Sequence, residues 1–95
     1  MALVAWSPAA LADLKRLHGF LAEKNPRAAD SALVAIRLKT QHLQNIPLAG
    51  RIHATMGGRR ELIVRFSNAG YSVLYSADDD VVRIIAVRHM REDQY

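Results

Sequence analysis

Ninety-five residues, 51% hydrophobic and 23% charged, allow a single hydrophobic core and leave no room for a second domain or a deep cofactor cleft. Cysteine is absent, which excludes disulfides, thiolate nucleophiles and thiolate metal sites together and fits a reducing compartment. The net charge of +4 is uneven, with eight Lys or Arg against three acids in residues 1–59 and five against six in residues 60–95, so the first part either meets an anionic partner such as nucleic acid or an acidic protein segment or, as is usual for Lys15, Arg16, Lys24, Arg37 and Lys39 taken singly, solvates its helix faces.

In chain order, residues 2–6 alternate and end at Trp6, which predicts a short first strand. Ser7-Pro8 then reads as a helix start, with Ser as the cap and Pro in the first turn. Leu11, Leu14, Leu17 or His18, and Leu21 mark the buried stripe of a helix running to about Lys24. Asn25-Pro26 repeats the start, and Ala29, Ala32, Leu33, Ile36, Thr40 and Leu43 form a second stripe ending before Pro47. The link around Lys24-Asn25 is short, which sets the helices antiparallel, and Ala28, Ala29 and Ala32 permit close approach.

Residues 50–56 predict a further strand that turns at Gly57-Gly58. Three more follow over residues 60–64, 70–75 and 81–89, with turns at Asn68-Ala69-Gly70 and Asp78-Asp79-Asp80. The nearly unbroken apolar run 81–87 predicts a central strand buried on both faces, with Arg83 reaching an edge or a carboxylate partner. The expected fold is α+β, in the order β-α-α-β-β-β-β. One domain over residues 1–95 packs its N-terminal strand and helical hairpin on one face of a mainly antiparallel sheet. The first residues lack the basic start of a secretory signal and no apolar run reaches spanning length, so the expectation is a cytoplasmic protein without a membrane partner.

Little in the chain suggests a metal or a cofactor, and neither is expected. His18, His42 and His53 lack ligand spacing, the three adjacent Asp read as a solvated turn, and Gly57-Gly58 lacks the surroundings of a phosphate loop. Arg60 and Glu61 point to opposite faces of their strand, so one is expected to pair with Arg83 or Arg65 while the other faces solvent or ligand. The tail from Arg88 to Tyr95 collects basic, imidazole and phenol groups at the rim of the sheet, a place where function concentrates. Within it, His89 is either a working group or a side chain bonded to nearby backbone or a carboxylate.

Five short segments stand in order along essentially the whole chain: Trp6-Ser7-Pro8-Ala9-Ala10-Leu11-Ala12-Asp13-Leu14, Asn25-Pro26-Arg27-Ala28-Ala29, Pro47-Leu48-Ala49-Gly50-Arg51, Arg60-Glu61-Leu62, and Val87-Arg88-His89-Met90-Arg91-Glu92-Asp93-Gln94-Tyr95. With the element order, they make the chain resemble the RelE/ParE toxin superfamily of bacterial type II toxin–antitoxin modules. The resemblance implies a small basic toxin made beside an antitoxin that wraps and silences it, with operator DNA reached only through that antitoxin. One branch poisons DNA gyrase; another cleaves messenger RNA on the ribosome.

RNA cleavage by 2′-hydroxyl attack needs a base or oriented hydroxyl, a donor for the leaving oxygen, and cations on the developing phosphorane charge. The ribonuclease branch often places Arg directly after the Gly-Tyr of its third strand and a Lys pair on the strand before. Here Ser72 follows Gly70-Tyr71, and Glu61 and Ile63 stand among Arg60 and Arg65. On that branch the catalytic set would be His89 with Arg60, Arg91 and Tyr95. A binding poison needs no such set, and residues 60–64 and 87–89 look closer to the gyrase branch. The expected function is therefore a ParE-like gyrase poison, with Arg51, Arg59, Arg60, Arg88, His89, Arg91 and Tyr95 as candidate target contacts. A ribosome-dependent endoribonuclease, and an inactive binding module of a repressor complex, are the alternatives.

Overall fold

Ser7 and Asn25 each open a helix as their side chains allow. The Ser7 hydroxyl accepts the Ala10 N–H at 3.0 Å and the Asn25 side-chain oxygen accepts the Ala28 N–H at 3.1 Å, with Pro8 and Pro26 in the first turns. In the computed structural model, which describes residues 1–53, 57–78 and 80–91, these caps begin α1 (Pro8–Ala22) and α2 (Pro26–Gln41). A single 3-10 turn, His42–Gln44, follows α2 and carries Leu43 into the core. The strands are β1 (Leu3–Trp6), β2 (Arg51–Ile52), β3 (Arg60–Phe66), β4 (Ala69–Ala77) and β5 (Val81–His89). They form one sheet in the order β1-β5-β4-β3-β2, with β1 parallel to β5 and the other neighbours antiparallel.

The hairpin lies on one face, α1 over β5 and α2 over β3. Ala10, Leu17, Ala32 and Ile36 of the helices meet Leu62, Val64, Val73, Tyr75, Val82, Ile84 and Val87 of the sheet. This is the expected α+β order, and four details differ from the sequence expectation. Leu11 is 53% exposed; the buried side of α1 is Ala10, Leu14, Leu17 and Leu21. The strand buried on both faces is β4, in which Gly70 through Tyr75 are all buried, and β5 alternates instead. The reason is position: β4 has full-length neighbours on both sides, whereas β1 covers only the first four residues of β5. The β3–β4 turn is Ser67-Asn68, because Phe66 pairs with Ala69, and Ser67 takes the positive φ of 55° that a two-residue hairpin asks of its first position. Finally, β2 is two residues long, and residues 54–56, expected to prolong it, lie outside the described residues; Gly57 and Gly58, with φ of 63° and 81°, make the expected turn.

Past Trp6, β5 has lost its neighbour, and a strand edge with free backbone groups invites unwanted pairing. Side chains at the start of α1 close it. Ser7 donates its hydroxyl to the Ile85 carbonyl at 3.1 Å, beside the register slip between Leu74 and Tyr75 that skips Ile85. Asp13 accepts the Val87 N–H at 2.9 Å and an Arg88 guanidinium N–H at 2.8 Å.

Candidate functional site

Strand alternation puts Glu61, Ile63 and Arg65 of β3 on the sheet face away from the helices, with Ser72 and Leu74 of β4 and Ala86 and Arg88 of β5. Arg51, opposite Glu61 on β2, joins them. Glu61 is the focus of this face. Its Oε1 accepts from Arg51 Nε and Nη2 at 3.2 and 2.9 Å, and its Oε2 accepts the Ser72 hydroxyl at 2.6 Å. The Ser72 hydrogen bond holds the carboxyl below its ordinary range, helped by Arg51 and by the charge of His53 and opposed by burial. An ionised, largely buried carboxylate therefore stands on this face, its side chain 14% exposed, anchored beside the position where the ribonuclease branch would carry an arginine.

The sequence expectation that Arg60 or Glu61 pairs with Arg65 or Arg83 is corrected here. Glu61 takes Arg51, because register rather than alternation decides which side chain lies opposite. Arg60, on the helix side of β3, donates to the Gly50 carbonyl at 2.8 Å and the Leu48 carbonyl at 3.4 Å and so fastens the loop before β2. Arg83 finds its carboxylate in Asp78 at 3.6 Å, and Asp78 also accepts the Asp80 and Val81 N–H groups at 2.9 and 2.7 Å. The backbone donors of Val81 and Asp80, in that order, hold the Asp78 carboxyl low. Asp78 and Asp80 thus belong to the turn read from the sequence, and Asp79 lies outside the described residues.

At the other end of the sheet, His89 sits edge-on to Tyr71, with centroids 5.4 Å apart and planes at 86°. Its Nδ1 accepts the Arg91 backbone N–H at 3.1 Å, which assigns the ring proton of the neutral form to Nε2. Burial pushes the Tyr71 phenol up. Through the register, Arg60 lies level with Tyr75 and His89 level with Tyr71, two strands away and four residues along, or about 13 Å along the strand axis. The candidates thus fall into two groups, with Arg51, Arg59 and Arg60 near β2 and the start of β3, and Arg88, His89 and Arg91 at the end of β5; Tyr95 lies outside the described residues. Among the described residues no three His, Asp or Glu side chains gather as metal ligands would. No helix among them is long and apolar enough to cross a membrane.

Two concave surfaces escaped sequence reasoning. One, of about 500 Å³, runs between the helices from the edge of β1 and is lined by Trp6, Leu11, Leu14 and Leu33 with Lys15 and Arg37 at its rim. Val34 and Leu38 of α2 are exposed as well. The only hint in the sequence was an apolar stripe wider than one buried face requires. The other lies beneath the far end of α1.

The sequence model of the ParE toxin of type II toxin–antitoxin systems, parDE, matches residues 4–94. The chain belongs to the ParE toxin family. Two toxins of Caulobacter vibrioides (strain ATCC 19089 / CIP 103742 / CB 15) are similar to it across nearly their full length. Toxin RelE2 is 37% identical over 94% of this chain and 96% of its own, and Toxin RelE3 is 36% identical over 97% and 98%. A solved chain of the chromosomal ParDE toxin–antitoxin system from P. aeruginosa superposes with a TM-score of 0.81 at 22% identity, covering 94% of this chain and 96% of that one. This ParE-family chain is thus a type II toxin on the fold that its residues predict.

Proposed function

We propose that this ParE-family toxin acts in the cytoplasm as a poison that binds DNA gyrase, and that it is held silent by a cognate antitoxin. The observation that carries the first half is the Glu61 carboxylate, kept ionised by Ser72 and Arg51 on the sheet face away from the helices. It engages the Arg51 guanidinium and the Ser72 hydroxyl where a phosphodiester would need donors, and the groups that would do its chemistry, His89 and Arg60, stand about 13 Å apart along the sheet. A poison that works by surface contact needs neither a cleared face nor a converged set. The second half rests on the groove between α1 and α2, whose apolar floor and basic rim suit an amphipathic antitoxin helix, and on the open edges of β1 and β2. Operator DNA is then contacted through the antitoxin.

The experiment uses the purified toxin in two assays. Gyrase supercoiling should be inhibited with accumulation of cleaved DNA, while messages on purified ribosomes stay intact. Codon-phased cuts in those messages with gyrase unaffected would assign the protein to the endoribonuclease branch instead. Inactivity in both assays, with the antitoxin still bound, would make it a binding module of a repressor complex.

A further inference from the structure

The second concave surface, about 840 Å³, lies between the C-terminal half of α1, the Ser67-Asn68 turn and the end of β5. Its floor is apolar, built from Leu17, Leu21, Phe66 and Tyr71, and among the described residues the charged ones on its wall are basic: Arg16, Lys24 and Arg91, with His89 beside them. Asp13 meets Arg16 at 3.8 Å and also serves the Val87 N–H and Arg88. At the rim, Phe20 is 67% exposed, with the Lys24 ammonium 5.6 Å from its ring centroid. A phenyl ring left in water beside a cation, over a concave apolar floor, is the composition of a docking surface rather than of a solvated helix face.

We infer that this groove docks an acidic segment of the toxin's target protein, which inserts an apolar side chain over Leu17 and Leu21 while its carboxylates meet Lys24 and Arg91. The inference rests on the reading of the toxin as a binding poison, but not on gyrase being the target. Two observations favour a protein segment over single-stranded nucleic acid. Tyr71 is 4% exposed and its ring is met edge-on by His89, so it offers no open face to a base; the rest of the floor is aliphatic apart from Phe66, and Phe20 at the rim is a single open ring where successive bases would need successive rings. The antitoxin is assigned to the groove between the helices, which shares no residue with this one: α1 gives Leu11, Leu14, Lys15 and His18 to the first, and Arg16, Leu17, Phe20, Leu21 and Lys24 to the second. The two sides of one helix can therefore serve two partners.

The test titrates isotopically labelled toxin with acetyl-Glu-Phe-Glu-amide, with its Gln-Phe-Gln counterpart and with a short oligothymidylate, following backbone amide resonances. The acidic peptide should shift residues 16–24, 66–71 and 89–91, and should bind about tenfold more tightly than the neutral one. The double variant K24E/R91E should remove that preference, and F20A should weaken both peptides. All three side chains are exposed, so melting should not move. In cells, K24E/R91E should lose growth arrest yet still co-purify with the antitoxin. Tighter binding of the oligothymidylate, shifts confined to the groove between the helices, a preference that survives K24E/R91E, or loss of antitoxin co-purification would each overturn the inference. None of these readouts uses gyrase or ribosomes, so failure of the gyrase assignment is scored separately.

Discussion

Tyr75→Phe isolates one hydroxyl group on which the loop before β2 depends. Tyr75 is fully buried; its oxygen accepts the Gly50 N–H at 2.7 Å and its proton goes to the Pro47 carbonyl at 2.9 Å. Phenylalanine keeps the ring and nearly all the packing, so the cost comes from the two groups left behind. A buried backbone N–H without a partner costs about 1–3 kcal/mol, and the half-buried Pro47 carbonyl, which water can reach, about 0.5–1 kcal/mol. The expected loss is about 2–3 kcal/mol, and a domain near 100 residues loses about 4–8 °C of melting temperature per kcal/mol, so the midpoint should fall by about 10–20 °C. Urea unfolding followed by circular dichroism should show a lower midpoint with an unchanged slope, since no less surface is buried. Gly50→Ala approaches the same point from the other side: a Cβ there would sit 2.7 Å from the Tyr75 ring and hydroxyl and 2.8 Å from the Glu61 carbonyl. Because the Glu61 carbonyl is backbone, Tyr75→Phe should not rescue Gly50→Ala. A loss below about 0.5 kcal/mol for Tyr75→Phe would refute the reasoning and leave the loop to the Arg60 hydrogen bonds alone.

Asp13 serves a backbone donor and two guanidinium groups, which substitutions can separate. Asp13→Asn keeps an acceptor for the Val87 N–H and should cost about 1 kcal/mol in urea unfolding, whereas Asp13→Ala orphans that donor as well and should cost about 2–3 kcal/mol; equal losses would mean that the arginines alone matter. Glu61, whose folded pKa lies below its ordinary 4.5, contributes stability that is present above that pH and lost as pH falls below it, because the unfolded carboxyl takes its proton first. Urea midpoints taken from neutral pH into the acid range should fall less steeply for Glu61→Gln than for wild type, with Asp78 supplying the acid sensitivity common to both; parallel curves would show that the Ser72 and Arg51 contacts do not persist in solution.

Local chemistry made much of this fold legible. Ser7-Pro8 and Asn25-Pro26 announced both helices because an N-cap acts on the residues directly after it, and alternation located the strands because it reports a face. What failed needed knowledge of neighbours. The run 81–87 read as doubly buried, yet burial on both faces belongs to whichever strand has long partners, and that is β4. Ser67 was passed over for Asn68-Ala69-Gly70 because serine is not the usual residue at positive φ. Alternation put Arg60 and Glu61 on opposite faces but offered the wrong arginines as partners, since Arg51 reaches Glu61 only through the β2–β3 register. The basic candidates likewise divided in two once the sheet order set Arg60 and His89 two strands apart. Neither groove beside α1 was visible, as each is made by segments distant in sequence.

β1 has one neighbour in the sheet, and that neighbour is the last strand of the chain: Leu3 to Trp6 register with Val81 to Ile84, and Ser7 and Asp13 bond Ile85 and Val87 across sequence separations of 78 and 74 residues. During synthesis, β1 must therefore wait, unpaired, until β5 has been made. The helical hairpin can form early from local contacts, whereas the β1–β5 pairing closes a long loop and is expected late. A translation product that stops before Val81 would lack the only sheet partner the described residues give β1. For a type II toxin, the fold thus delays assembly of the sheet until its most distant strand is present.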